Sequence, residues 1–306
     1  MKIERENSGG AGTALTYFIL RLCVIVIMIL GIINARWHEV FYCVLTLILF
    51  MIPSIVERKL KLELPSALEI IVLLFIFAAE ILGEIGAFYL KVQSWDLILH
   101  TTNGFLMAAI GFALIDVLNR SPKINMSMSP FFVAFVAFCF SMTIGVLWEF
   151  TEYSADTFLG ADMQKDTIVE HIASVDLNPD KVNKAIQVDD ITQSVIYGKI
   201  NGEEKEIILP GYMDIGLHDT MEDMFVNLIG AVVFSIIGGI YIKGRGKGGG
   251  QVAEKFIPRL LTDEEAEEAE EDRKRRWKRR YHYKSDLPNV AKNVPPITDD
   301  KHGKGE

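Results

Sequence analysis

A disulfide framework is absent from this chain. Its three cysteines, Cys23, Cys43 and Cys139, all lie inside long apolar runs, and none falls in the polar stretch 154–218, where an oxidising compartment could pair it. Each is read as a small hydrophobe. Common catalytic signatures are missing too. There is no HExxH, no CxxC pair, no Walker loop, no GxSxG elbow and no dinucleotide-binding glycine pattern, and no internal repeat. Charged residues make up 23% of the chain and crowd into its loops and ends. The net charge of −9 comes largely from the polar stretch 154–218, so it is a matter of solvation and implies no nucleic-acid partner.

What the chain has in quantity is hydrocarbon. Half of its 306 residues are hydrophobic, and the mean hydropathy is +0.25. Crossing the apolar core of a bilayer takes roughly 20 apolar residues, and six runs qualify: Ala14–Ile33, Trp37–Ile55, Ser66–Leu90, Trp95–Leu118, Pro130–Tyr153 and Asp219–Ile242. The first exceeds a secretory h-region and no small-x-small cleavage site follows it, so it reads as a retained span. The expected fold is an all-α membrane protein, a bundle of about six transmembrane helices over 14–242. An external loop at 157–218 and a charged tail at 243–306 complete it.

Lysine and arginine in short loops set the orientation. Lys2, Arg5, Arg58, Lys59, Lys61, Arg120, Lys123, Lys243, Arg245 and Lys247 fall on one side, against Arg36 and Lys91 on the other. Both termini are therefore expected in the cytoplasm and the long loop outside. In that loop Gly160–Ala173 reads as an amphipathic continuation of span five, and Val175–Ala185 carries Asn-Pro-Asp turn chemistry with a short helix after it. Gln193–Ile200 and Glu203–Leu209 flank Asn201-Gly202, a strong hairpin signal. A lone hairpin is marginal, so this small cap should lean on the membrane domain or on a partner. In the tail, Gly244–Gly250 reads as a linker. Asp263–Asp272 leads into the basic run Arg273–Arg280, either as a plain solvated helix or as one whose basic end, with Trp277 and Tyr281, touches anionic lipid. Residues beyond Leu287 have a disordered composition.

Against this background the acidic residues stand out. A carboxylate at the centre of a membrane helix costs roughly 2.5–3.5 kcal/mol on insertion scales, yet Glu80, Glu84, Asp96, Glu149, Glu152, Asp219 and Asp223 lie in or at the ends of spans. Glu80 and Glu84 are four residues apart, as are Asp96 and His100; Gly145, Glu149, Glu152 and Asp156 form one stripe, and Asp219, Asp223, Asn227 and Gly230 another. With the orientation above, all four helices carry their acids at the same, outer depth. Asp96, Asp156 and Asp219 are close enough to span ends to be dipole-complementing surface acids, and Trp95 and Trp148 read as interfacial or packing residues.

So many carboxylates cannot all ionise without protons or a cation. Carboxylates with an imidazole suit Zn²⁺, Mn²⁺ or Fe²⁺, and bundle-core sites draw one or two ligands from each facing helix. The expected ligands are Asp96, His100, Glu149, Glu152, Asp219 and Asp223 around a divalent metal cation, with Glu149 as the candidate catalytic base. Glu80 and Glu84 are expected as ligands or as groups supporting them.

The segments WDLILHTTNGFLMAAIGF, WEFTEYSAD, GADMQKDT and DTMEDMFVNLIG resemble the YjdF-like family of uncharacterised bacterial inner-membrane proteins. Asp96, His100, Gly104, Glu149, Glu152, Asp219, Asp223 and Gly230 match the family pattern; Glu80 and Glu84 match it less closely. The likeness covers roughly Ser66–Ile242 and implies a multi-pass protein of the bacterial cytoplasmic membrane. Most of Asp166–His218 is an insertion relative to simpler members. A more distant similarity is to VanZ-like proteins linked to glycopeptide resistance. Neither resemblance supplies a reaction.

Three functions follow. One is a metal-dependent enzyme acting on a lipid or lipid-linked envelope substrate. Another is a non-catalytic envelope or sensor protein stapled by its metal. The third, a cation- or proton-coupled transporter, needs a polar path to the inner leaflet, where few acids or amides are on offer, chiefly Glu69, Asp116 and Asn119.

Overall fold

The computed structural model describes residues 8–120, 128–244 and 256–285. The chain divides into two units, 1–260 and 261–306. The first unit contains helices α1 (Ser8–Ile33), α2 (Trp37–Leu49), α3 (Ile52–Leu60), α4 (Ser66–Phe77), α5 (Phe88–Lys91), α6 (Trp95–Arg120), α7 (Pro130–Leu159) and α8 (Leu217–Gly244). Among the described residues six helical segments are long and apolar enough to cross a membrane, as expected. Their outer faces carry exposed Phe18, Leu22, Phe41, Phe131, Phe225 and Ile236, side chains at home in hydrocarbon rather than water.

Two of the expected spans are not continuous α-helices. Span two breaks between α2 and α3 at Phe50 and Met51, just ahead of Pro53, which has no N–H to give to a continuing helix. Span three changes from α4 into a π-helical stretch, Ala78–Ile85. It then turns at Ala87 in the left-handed region (φ 55°) into α5.

The helices pack as two groups. Leu20, Val24, Cys43, Phe50, Leu73, Ile76 and Ile81 join α1, α2, α4 and the π turn. The second core lies among α6, α7 and α8, around Phe112, Val133, Ala137, Ala231 and Phe234, with Leu68 of α4 at its margin. Ser129 caps α7 by accepting from the Phe132 N–H at 3.2 Å. Alternation along the chain puts the start of α6, the end of α7 and the start of α8 at one end of the bundle, beneath the 160–216 segment.

That segment is a set of antiparallel strand pairs. β2 (Thr167–Val169) pairs with β7 (Tyr212–Asp214), β3 (Ile172–Ser174) with β4 (Ile186–Val188), and β5 (Ser194–Ile200) with β6 (Glu203–Leu209). The hairpin forms as expected. Asn201 (φ 53°) and Gly202 (φ 84°) take the left-handed conformations that a tight two-residue turn demands. Of the two expected supports it does not use the bundle: nearly its whole length is exposed, and Ser194 Oγ ties its base to the Gly211 carbonyl at 2.6 Å. Two further expectations fail. α7 stops at Leu159 because Gly160 turns left-handed (φ 64°), so no helix continues through Gly160–Ala173. After Asn178-Pro179-Asp180 the chain makes Asx-type turns and enters β4 rather than a helix.

Beyond α8 the expected linker falls outside the described residues, apart from Gly244. Residues 256–260 then return to the first unit. β8 (Arg259–Leu260) pairs antiparallel with β1 (Leu62–Glu63), Phe256 meets Phe105 edge-on at 5.9 Å, and Ile257 is buried in the α6–α8 core. The second unit contains α9 (Asp263–Ser285). Its start is a reciprocal cap between Thr262 and Glu265, and Glu270–Lys274 and Glu271–Arg275 pair one turn apart, as expected. The side chains of Trp277 and Tyr281, and everything beyond Ser285, lie outside the described residues.

Candidate metal centre

Close approach of α6 and α8 makes the site possible. A β-carbon on Gly104 would sit 2.1 Å from the Asn227 carbonyl oxygen, and one on Gly230 would sit 2.0 Å from that of Thr101. Only glycine allows these backbones to touch, as in other membrane helix pairs. α7 joins through Gly145, whose missing side chain leaves room for the Asn227 amide, and through Ser141, whose hydroxyl donates to the Gly104 carbonyl at 2.7 Å. Asn103 donates to Asn227 at 3.3 Å. These small and amide residues form a floor, and the acids stand on it.

One ligand atom each from His100, Glu149, Glu152 and Asp223 fall within 4.8 Å of one another, and so do those from Asp96, Asp219 and Asp223. His100, Glu149, Glu152 and Asp223 are buried, Asp223 to 1% exposure; Asp96 and Asp219 are half-buried and form the accessible edge. His100 Nε2 is 3.5 Å from both Asp96 Oδ1 and Asp223 Oδ2, and its Nδ1 is 3.8 Å from Glu149 Oε1. Donors bonded tetrahedrally at about 2.1 Å lie roughly 3.4 Å apart. Glu149 Oε2, Glu152 Oε2 and both oxygens of Asp223 are buried with no hydrogen-bond partner in the protein.

Sequence reasoning missed the groups that aim and cover the cluster. Trp148, read as an interfacial residue, donates its indole N–H to Glu152 Oε1 at 2.8 Å. Asp156 accepts the Met163 and Gln164 backbone N–H groups at 2.7 and 2.8 Å, and Asp219 Oδ2 accepts that of Lys165 at 2.8 Å. The turn 160–166 is thereby strapped across the ends of α7 and α8. Beneath it the Gln164 amide donates to Thr220 at 2.5 Å, and both side chains come within reach of Glu149. This turn, rather than the hairpin, caps the cluster. The visible sequence signal was the run of Gly160, Asp162 and Gln164 itself, whose partners lie far along the chain.

Glu80 and Glu84 belong to neither ligand group. They sit on the π turn, Glu80 half-buried and Glu84 exposed, with Tyr89 within electrostatic reach of both and of Asp96 and Glu152. The Tyr89 ring lies over Gly83, where a β-carbon would come within 2.4 Å of it.

A family model described as Predicted membrane protein (DUF2238) matches residues 15–244. The chain belongs to this family. The match takes in five spans whole, the first from residue 15 on, and every ligand candidate of the DUF2238 protein, and it stops before the returning segment 256–260. An uncharacterised protein of Thermotoga maritima is 25% identical over 107 residues, 35% of this chain and 53% of that protein. The chain thus spans about half the length of this curated relative. No solved structure matches this DUF2238 member.

Proposed function

We propose that the protein holds a divalent cation between α6, α7 and α8 and uses it to hydrolyse or transfer a group on a lipid or lipid-linked envelope substrate. The site would face outward from the bacterial cytoplasmic membrane, with both chain ends inside. The observation that carries this reading is the set of buried, partnerless oxygens on Glu149, Glu152 and Asp223 beside His100. An unpaired buried carboxylate is costly, by several kcal/mol even after relaxation, and a cation removes that cost for all three at once.

The ion would supply a polarised, more acidic water and a counter-charge for a developing oxyanion. Glu149 takes a proton from the attacking water and returns it to the alcohol that leaves as the ester bond to the lipid breaks. Asp96 and Asp219 border the route by which a headgroup enters. Lys165, whose charge bears on both, stands beside that edge.

The burial of four ligands under a strapped turn favours a second reading, a closed ion that holds the bundle together. A transport path is less favoured, because Phe112 and Phe234, both fully buried, fill the same interface beyond Asn227.

Elemental mass spectrometry on detergent-purified protein, with His100→Ala and Glu149→Gln alongside, tests the metal reading. Stoichiometric metal in the parent and its loss from both variants is the expected result; a metal-free parent sinks it. Hydrolysis of lipid-linked phosphate esters by the parent and not by Glu149→Gln then separates enzyme from staple.

A further inference from the structure

The two ligand groups share a single residue, and its chemistry decides how they are used. Asp223 lies on α8 one turn inside Asp219, belongs to both groups, is 1% exposed, and has neither carboxylate oxygen satisfied by the protein. A carboxylate ligating one ion through one oxygen leaves the other needing a hydrogen bond, and none is provided. A carboxylate uses both by chelating one ion or by bridging two, and the membership of Asp223 in both ligand groups favours the bridge.

Resting on the metal reading above, we propose that the site is dinuclear and that Asp223 bridges its two ions. The inner ion is held by His100, Glu149 and Glu152, a nitrogen-containing set that suits a transition metal. The outer ion is held by Asp96 and Asp219, an oxygen-only set that suits a harder cation such as Mg²⁺ or Mn²⁺.

Charge agrees with this. Five carboxylates gather here with His100, and the Lys165 ammonium bears on the edge from the capping turn. The Lys165 ammonium is itself paired with Asp162, so with the five carboxylates ionised and His100 neutral five negative charges remain; one divalent ion cancels two of them and two cancel four. In a medium where charge is poorly screened the difference is large. Geometry agrees as well. His100 Nε2 stands 3.5 Å from a carboxylate oxygen of each group, so the two sets adjoin. Two-metal sites place their ions about 3.5–4 Å apart, and paired-metal bundles fill them with glutamates and histidines from facing helices. The accessible edge falls on the outer ion, where a headgroup oxygen would bind.

The test is Mn²⁺ stoichiometry. The full chain, stripped with chelator in detergent and reloaded with Mn²⁺, should hold two ions per chain by elemental analysis. Its electron paramagnetic resonance should be broadened by coupling between them. Asp219→Asn should fall to one ion and recover the sharp six-line signal of an isolated Mn²⁺, and Asp96→Asn should do the same should Asp219→Asn fail to fold. Asp223→Asn should drop below one. One uncoupled ion in the parent, unchanged in Asp219→Asn, overturns the dinuclear inference and leaves the single-metal reading standing. No bound Mn²⁺ in the parent overturns both.

Discussion

At the scale of the residue, two missing methyl groups decide whether α6 and α8 can meet. Alanine at Gly230 would press its β-carbon to 2.0 Å from the Thr101 carbonyl oxygen, and backbone cannot step aside as a flexible side chain can. Overpacking of this kind costs about 1–3 kcal/mol. Gly230→Ala should therefore melt earlier in detergent and lose metal, while Gly198→Ala, with open space around it, should do neither. Trp148→Phe keeps an aromatic side chain, though a smaller one, and removes the N–H that aims Glu152. Groups that orient a ligand typically carry 10–100-fold in metal affinity, and a titration with Mn²⁺ should show a loss of that order with no change in fold. The acidic residues of the cluster were legible in the sequence, since carboxylates four and seven apart are too costly in an apolar run to pass unnoticed. Trp148 was not, because tryptophan at a span end has an ordinary use as an interfacial anchor. Gln164 and Thr220 meet across 56 positions of chain, and no local pattern announces a contact of that separation.

At the scale of the element, the turn 160–166 is the strap that covers the cluster. It is fixed by three backbone hydrogen bonds to Asp156 and Asp219 rather than by buried apolar side chains, and such polar straps open more readily than packed cores. Asp156→Asn removes the charge that two of those bonds rely on and leaves every proposed ligand in place. Metal content should stay at the parental value while the rate of loss to an external chelator rises, measured by stopped-flow with a chromogenic chelator. Helices were readable here as hydrophobic runs of adequate length. Their irregularities were less so. The break at Phe50–Met51 had Pro53 as its signal, whereas the π stretch Ala78–Ile85 has no residue that forbids an ordinary helix, and it becomes visible only in the backbone bonding. The 160–216 segment followed the same division: Asn201-Gly202 dictates its turn, but β2 with β7 joins residues that tertiary contact alone brings together.

At the scale of the whole molecule, the distribution of lysine and arginine predicts which end of the bundle faces out. With the native cysteines replaced, a single cysteine at Tyr197, which is 77% exposed on the hairpin, should react with a membrane-impermeant maleimide in intact cells. One at Lys59, exposed at the far end of α3, should react only after lysis. The reverse pattern would turn the carboxylate and histidine cluster toward the cytoplasm and remove any envelope substrate from consideration.

The strand pairing of β8 with β1 also sets a clock on biogenesis. A ribosome that has just delivered α8 has supplied every membrane helix, yet the partner of Leu62–Glu63 and the side chain that fills the core at Ile257 are still inside its exit tunnel. The newborn chain waits in the bilayer with an unfilled seam, the state that membrane proteases survey. A stop codon after Gly244 makes that waiting state permanent. Pulse-chase labelling should find such a chain inserted with all six spans but short-lived, and one ending after Thr262 as durable as the full-length protein.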